Sequence, residues 1–336
     1  MEDAYGRLMT ISSAERARPS SLGPAPRHPA SRARSRRGAV LCLLSATAFG
    51  MAAIFAKESY RAGVSVPSML TVRFAFAAAV FWVVVAFRRP ALPSRGVLMV
   101  CVILGAGGYA LQSGFYFAAL AKIDASLVAL LLYAYPALVT VLAMVLRRES
   151  PDRRRVAALI CSGSGLLLIL GTAASGGDIA PAGVLLALGA AGAYAVYLTV
   201  ADGLPVDLDL YLLSAVVCTA AAVSLGSYGL TTGSLDLAVR PQAWLWMGLL
   251  ALVSTVIAVA CMFAGVRQIG APSAAILSSA EPAVTVVSTA LVYGERLTLG
   301  QAAGGAAVIA AVVILQLRRS QPGRTRFPVG QTPPPP

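Results

Sequence analysis

One acidic side chain, Glu281, stands in the middle of a long apolar run near the end of the sequence, directly before Pro282. A continuous helix would place Ser278, Thr285 and Ser288 on the same face as this carboxylate. A charge at the centre of a membrane costs about 2.5–3.5 kcal/mol on insertion scales, so it calls for a function or a partner. Glu281 could bind a substrate or a coupling proton, could be a structural acid paired with a buried donor, or could be protonated and silent. We expect it to line a transport cavity.

Arg73 is a second charge inside an apolar run. Our hypothesis is that Arg73 and Glu281 pair with each other or share the carboxylate or amine of a substrate. The alternative is an arginine that extends to the membrane surface and only anchors its helix.

Aromatic and polar side chains accompany these charges. A tyrosine stands before Pro136 at the position that Glu281 occupies before Pro282. Three residues of the third apolar run are spaced as one helical stripe. Tyrosines suit a small-molecule cavity, although hydrogen bonds between helices are the alternative explanation. The candidates for lining the cavity are Tyr133, Tyr135, Tyr109, Gln112, Tyr116, Phe49 and Tyr194. Pro136 and Pro282 are expected to kink their helices.

The composition is that of a membrane protein. Of the 336 residues 58% are hydrophobic and only 12% are charged. The net charge of +13 is concentrated in the tails, which favours membrane topology and contact with lipid over nucleic-acid binding. The single histidine, His28, lies in the N-terminal tail, and the five cysteines are scattered in apolar runs. We therefore expect no metal, no cofactor and no enzymatic activity.

Ten apolar runs are long enough to cross a bilayer. They are residues 39–57, 68–87, 97–120, 126–146, 155–172, 181–200, 210–230, 243–266, 272–293 and 300–317. The distribution of Lys and Arg predicts that both termini are cytoplasmic in a multi-pass protein of the cytoplasmic membrane. The predicted domains are a disordered basic tail (1–37), two five-helix units (38–172 and 173–318) and a second disordered tail (319–336).

The two five-helix units are an internal repeat. Pro136 and Pro282 lie 146 residues apart, and Glu149 and Glu295 follow them at the same spacing. An odd number of spans in each unit forces the two units into opposite orientations. The sequence therefore predicts an all-α protein of ten transmembrane helices in two inverted repeats, an architecture common among secondary transporters.

These motifs resemble the EamA-type branch of the drug/metabolite transporter superfamily. The run from Glu281 to Val284, followed by the segment 293–297 (YGERL), is similar to its "EP…GE.L" pattern. Pro67 followed by Arg73-Phe74 resembles its "P…RF" signature, and Phe49-Gly50 stands where Trp-Gly is frequent. The sequence departs from the family at Phe49 and at Arg148, which replaces the glycine of the second repeat. The resemblance covers about residues 38–318.

The resemblance implies ten helices around a central cavity, with the fifth and tenth at the periphery, and transport of small metabolites by alternating access. We expect an exporter of amino acids or related compounds, with protons as a candidate coupling ion. The alternatives are a channel-like or non-transporting membrane scaffold and an intramembrane enzyme. The motif Gly300-x-x-x-Gly304 indicates close helix packing, either within the chain or in a homodimer.

Overall fold

The computed structural model describes residues 29–147, 152–175, 180–205 and 207–316, and its regular secondary structure in these ranges is entirely helical. Nine of the described helices are long and apolar enough to cross a membrane, and a shorter apolar helix, Leu299–Leu315, follows them. The prediction of an all-α membrane protein built from two inverted five-helix repeats is confirmed.

The first half has five helices, three of which are divided into segments. They are α1 (Pro29–Gly50 and Ala52–Arg61), α2 (Val66–Arg88), α3 (Arg95–Ile103, Leu104–Tyr109 and Ala110–Leu120), α4 (Ala125–Leu132 and Tyr135–Val145) and α5 (Arg153–Ser175).

The second half repeats most of these divisions. Its helices are α6 (Pro181–Ala201), α7 (Leu210–Thr231), α8 (Pro241–Ala251, Leu252–Ile257 and Ala258–Ile269), α9 (Ala271–Ser278 and Glu281–Tyr293) and α10 (Leu299–Gln316).

Two kinds of interruption recur at equivalent places in the halves. Helices α4 and α9 are each interrupted for two residues. A proline is the second residue of the segment that follows each interruption, Pro136 in α4 and Pro282 in α9. Proline has no backbone N–H and fixes its own φ, so it suits the first turn of a new helical segment better than a helix interior. Helices α3 and α8 each contain a π-helical turn, Leu104–Tyr109 and Leu252–Ile257.

The helices pack across the two halves in related pairs. Helix α2 packs against its counterpart α7, and α5 against its counterpart α10. The contact of α1 with α8 is matched by that of α6 with α3, and the contact of α1 with α9 by that of α6 with α4. Helix α2 fills the core, where Met69, Leu70, Phe74 and Phe81 are fully buried. This arrangement brings the broken helices α4 and α9 together between the halves.

The glycine motif of α10 is used within the chain. A side chain at Gly304 would overlap the carbonyl oxygen of Gly165 on α5, and one at Gly300 would overlap Thr172. The face that this motif offers to a homodimer is therefore covered by α5. A homodimer through some other face stays a prediction.

Two predicted boundaries concern the chain ends. Helix α1 begins at Pro29, inside the segment 1–37 that was predicted to be a disordered tail, so that prediction does not hold from residue 29 onwards. The remainder of that tail and the tail 319–336 lie outside the described residues, as does Glu149.

Candidate functional site

Glu281 lies at the break of α9, as the first residue of the second segment. Tyr133, which lies at the corresponding break of α4, directs its hydroxyl to this point. The hydroxyl is 3.0 Å from the carbonyl oxygen of Ser278 and 3.3 Å from Oε2 of Glu281. Helix α1 also approaches closely here, because a Cβ at Gly50 would lie 3.0 Å from the carbonyl oxygen of Glu281. The two breaks therefore meet between the halves.

Aromatic rings continue from Tyr133 across the interior as an aromatic arc. Each ring is in contact with the next, with centroids between 4.6 and 6.1 Å apart. The rings of the arc, in order, are Tyr133, Tyr135, Tyr194, Tyr197, Tyr109 and Phe74. The four tyrosines between the two end rings of the arc are only partly buried. Tyrosine faces and hydroxyls of this kind provide a flat contact surface with polar groups at its rim.

Arg73 lies at the far end of the arc and is 4% exposed. Its Nε donates a hydrogen bond of 2.8 Å to Oγ1 of Thr255, which lies in the π-helical turn of α8. Its guanidinium lies 5.2 Å from the ring centre of Phe74 and 5.0 Å from that of Phe117. Aromatic contacts and a hydroxyl acceptor thus hold a cation that is almost fully removed from water.

The structure does not pair Arg73 with Glu281. Three ion pairs join described residues, namely Lys57–Glu295, Arg61–Glu58 and Arg88–Asp209, and neither interior charge takes part. The hypothesis of a direct pair is therefore wrong for this conformation, because Thr255 and two rings already surround the guanidinium. Tyr109 and Tyr116 are within electrostatic range of both charges. The two charges lie at the same interior region without neutralising each other.

A cavity of about 200 Å³ adjoins the break of α9. Tyr133, Tyr135, Ser278 and Ser279 form its inner wall. The remainder of the wall comes from the end of α8 and the first segment of α9, with Met262, Val266, Ala271, Ala274 and Ala275. Glu281 is not itself in the wall, since the ring and hydroxyl of Tyr133 lie beside it. Tyr133 therefore stands between the cavity and the carboxylate, in contact with both.

The other predicted lining residues are placed less centrally. Gln112 is buried and accepts a hydrogen bond from Ser113, its neighbour in sequence. Tyr116 packs edge-on against Phe117. Phe49 is partly buried, and the ring contacts found in the described part of the chain do not include it. Only Tyr109, Tyr133, Tyr135 and Tyr194 of the seven candidates belong to the aromatic arc.

The expected polar face of α9 is also different. The break at Ser279 and Ala280 separates Ser278 from the residues after it, so these positions do not follow one continuous helix. Thr285 is buried and donates to the carbonyl oxygens of Gly50 and Glu281. Its hydroxyl therefore fastens α9 to α1 instead of lining a cavity.

Three contributors were missed at the level of sequence. Tyr197 lies three residues after Tyr194 on α6, and this helical spacing could have revealed it. Thr255 and Phe117 carry no comparable signal, because an isolated threonine or phenylalanine in an apolar helix is ordinary. Among the described residues no group of three or more His, Cys, Asp or Glu side chains could hold a metal ion.

The comparisons with known proteins agree with this architecture. The model of the EamA-like transporter family matches residues 36–171 and again residues 181–317. The chain is 27% identical over 301 residues to "Uncharacterized transporter YcbK" of Bacillus subtilis (strain 168), a match that covers 85% of this chain and 95% of the relative. A solved structure described as "Crystal structure of protein" shares the fold, with a TM-score of 0.56 and 20% identity over 83% of this chain and 96% of that one. The chain is thus a multi-pass membrane transporter, and it belongs to the EamA-like transporter family.

Proposed function

We propose that this transporter exports small metabolites such as amino acids across the cytoplasmic membrane by alternating access. The substrate binds between the two halves, at Glu281 and along the aromatic arc. Both termini are cytoplasmic in this proposal, in keeping with the distribution of Lys and Arg.

The observation that carries the proposal is the meeting of the two helix breaks at Tyr133 and Glu281. Interrupted membrane helices of two inverted repeats are where transporters expose backbone groups to a substrate, close to the middle of the bilayer. Here one break belongs to each half, so a relative movement of the halves would change the site from both sides.

The charges support a substrate with both an amine and a carboxylate. Glu281 offers a negative group without a cationic partner among the described residues, and Arg73 offers a positive group. The partly exposed rings between them would accept the apolar body of such a molecule. The two charges would then each have an opposite charge for as long as the substrate is bound.

The position of the cavity supports export as the direction of transport. The cavity wall includes Val266 and Ala271, which flank a short connection that the charge distribution assigns to the cytoplasm. A cavity that opens to the cytoplasm is where an exporter would load its substrate. Glu281 is the group that would carry a coupling proton.

A pore and an intramembrane enzyme are the competing functions. A counterflow assay on purified full-length protein in liposomes, with radiolabelled amino acids as probes, distinguishes a transporter from both, since an enzyme gives no flux. A transporter gives saturable flux and transient counterflow, whereas a pore gives flux that rises linearly with concentration. We expect Glu281→Gln to abolish counterflow while Asp207→Asn, which changes an exposed acid in the connection between α6 and α7, retains it. Linear flux, or full counterflow in Glu281→Gln, would contradict the proposal.

A further inference from the structure

Glu295, just beyond the end of α9, binds the beginning of α4 in the other half. Its carboxylate accepts hydrogen bonds from Lys57 Nζ at 2.7 Å and from Ser126 Oγ at 2.7 Å. It also accepts from the backbone N–H groups of Ser126 at 3.0 Å and Ala125 at 3.2 Å. The side chain of Glu295 is 6% exposed and that of Lys57 is 19% exposed. One carboxylate therefore joins α1, α4 and α9.

The carboxylate serves as the N-terminal cap of α4. Asp124 occupies the cap position but makes no capping hydrogen bond with its own side chain. Glu295 supplies that acceptor from another helix, where the N-terminal end of the helix dipole also favours a negative charge. Burial raises the pKa of Glu295, but the hydrogen bonds from Lys57 and Ser126 outweigh it and lower the pKa to about 2. The group stays ionised at physiological pH.

A second set of contacts reinforces this end of the molecule. The hydroxyl of Tyr293, on α9, donates to Oε1 of Glu58 on α1 at 2.8 Å. The guanidinium of Arg61 lies over the Tyr293 ring at 4.5 Å and pairs with Glu58 at 2.8 Å. Helix α1 is thus fastened to α9 by ionic and aromatic contacts in addition to its apolar packing.

The repeat places different residues at the corresponding positions of the opposite end. At the repeat spacing of 146 residues, Glu149 corresponds to Glu295 and Pro272 corresponds to Ser126. Proline has neither a backbone N–H nor a hydroxyl to donate. Phe49 and Tyr194, on the first helices of the two halves, lie 145 residues apart; at this spacing Asp202 corresponds to Lys57, so an acid stands where the first half has a cation.

The cavity lies toward this opposite end. The helical segment Glu281–Tyr293 separates the cavity and the break from Glu295 by 13 residues, which corresponds to about 20 Å along a helix axis. A second cavity of about 140 Å³ lies around Glu295 itself, between the segments 122–127 and 295–301, and its wall contains no residue of the aromatic arc. The cavity beside the break and the cavity around Glu295 thus share no lining residue.

We propose that Glu295, Lys57 and Ser126 form a one-sided lock, which keeps the Glu295 end of the transport path closed at rest and opens in each cycle. This inference rests on the proposed alternating access. Because Pro272 and Asp202 stand where the first half has Ser126 and Lys57, the conformation closed at Glu295 is the resting one, and a substrate is required to open it.

The reactivity of a thiol at position 289 measures how often the lock opens, and this measurement does not require a transport assay. Thr289 is fully buried and its Oγ1 lies 2.9 Å from Oγ of Ser126, so a reagent reaches it only when α4 and α9 separate. Thr289→Cys is made in the full-length chain after replacement of the five native cysteines. A maleimide then labels the purified protein in liposomes, in the absence of substrate.

We expect Glu295→Gln and Lys57→Met, each made separately, to raise the labelling rate about tenfold. The reason is that loss of a buried ion pair shifts the equilibrium between the closed and the open state by about this factor. The control is Arg88→Met, which breaks the more exposed pair with Asp209 away from α9 and should leave the rate unchanged. Size-exclusion and melting profiles verify that each variant is folded. An unchanged labelling rate in both folded lock variants overturns the proposal.

Counterflow measured on the same preparations separates the two proposals. If the lock variants label faster and their counterflow changes while Arg88→Met behaves as wild type, the lock is a part of the transport cycle. If the wild type shows no counterflow, the proposed function fails, and the labelling rates still decide whether these residues close this end.

Discussion

The hydroxyl of Tyr133 lies 3.3 Å from the carboxylate of Glu281 and joins the breaks of two helices from opposite halves of the transporter. The same hydroxyl is 3.0 Å from the carbonyl oxygen of Ser278, which the break in α9 leaves without a helical partner in the next segment. Tyr133 therefore holds both the side chain and the backbone of the other half. Any movement of α4 relative to α9 must release or carry this contact.

Replacement of Tyr133 by phenylalanine tests the contact directly. Tyr133→Phe keeps the ring but removes the hydroxyl, and a hydrogen bond to a charged group contributes about 1.5–3 kcal/mol. We expect counterflow to fall about tenfold, with a smaller effect on the melting temperature. Trp82→Phe, which removes a hydrogen bond from α2 to Thr219 on the exposed side of α7, is the control and should retain wild-type counterflow. Equal rates for both variants would show that the hydroxyl has no role in transport.

Replacement of Arg73 by lysine should impair substrate binding. Arg73→Lys retains the charge but loses the Nε–H that binds Thr255 and the flat guanidinium that contacts Phe74 and Phe117. We expect a rise in KM of about tenfold in proteoliposome assays, and Thr255→Val should weaken binding in the same direction because it leaves a buried donor unsatisfied at about 1–3 kcal/mol.

The combination Arg73→Glu with Glu281→Arg distinguishes a direct pair from two separate charges. Since the two side chains do not contact each other here, the double variant should be no more active than either single variant. Recovery of counterflow in the double variant would mean that the two side chains pair in another state of the cycle.

The interface of α5 with α10 offers a matched pair of glycines. A Cβ at Gly165 would lie 2.6 Å from the carbonyl oxygen of Gly304, whereas a Cβ at Gly163 would meet nothing within 4 Å. Gly165→Ala should therefore lower stability by about 1–3 kcal/mol through overpacking, while Gly163→Ala should be neutral or stabilise by up to about 1 kcal/mol through helix propensity. Thermal melting in detergent measures both. Similar melting temperatures for the two variants would contradict the packing of α5 on α10.

Protonation of Glu295 at low pH should lower the free energy of unfolding. Its pKa is about 2 in the folded protein and about 4.3 in an unfolded chain, so the stabilisation is complete above the higher value. It is lost as the pH falls from about 4.5 to 2, and it amounts to about 3 kcal/mol. Melting curves between pH 7 and pH 3 should show this loss in the wild type and a shallower decrease in Glu295→Gln. The same pH dependence in both proteins would assign the acid sensitivity to other groups.

The sequence-based predictions worked where the signal was local or repeated. The recurrence of proline and glutamate at one spacing predicted two equivalent halves, and long apolar runs predicted the ten helices. A helical face drawn through Glu281 was only partly right, because Thr285 and Ser288 follow Glu281 on one segment whereas the break at Ser279 and Ala280, just before Pro282, separates Ser278 from them. The partner of Arg73 was unpredictable, since Thr255 is 182 residues away in sequence and becomes adjacent only when α8 packs on α2.

Charge alone also misled the prediction about the site. Two opposite charges in apolar runs suggested a pair, but the guanidinium of Arg73 contacts the rings of Phe74 and Phe117 and binds Thr255 instead. Glu295, in contrast, was assigned only to a sequence motif, and its contact with Lys57 depends on how the ends of α1 and α9 meet.

The π-helical turns of α3 and α8 have a practical consequence for mapping this protein. Each turn contains one residue more than an α-turn, so the residues before and after it are out of phase by about 100° on a helical wheel. A single wheel drawn for α3 would assign Cys101 and Gln112 to the wrong relative directions. Scanning mutagenesis and cross-linking along α3 and α8 should therefore be planned on two separate wheels, one on each side of the π-helical turn.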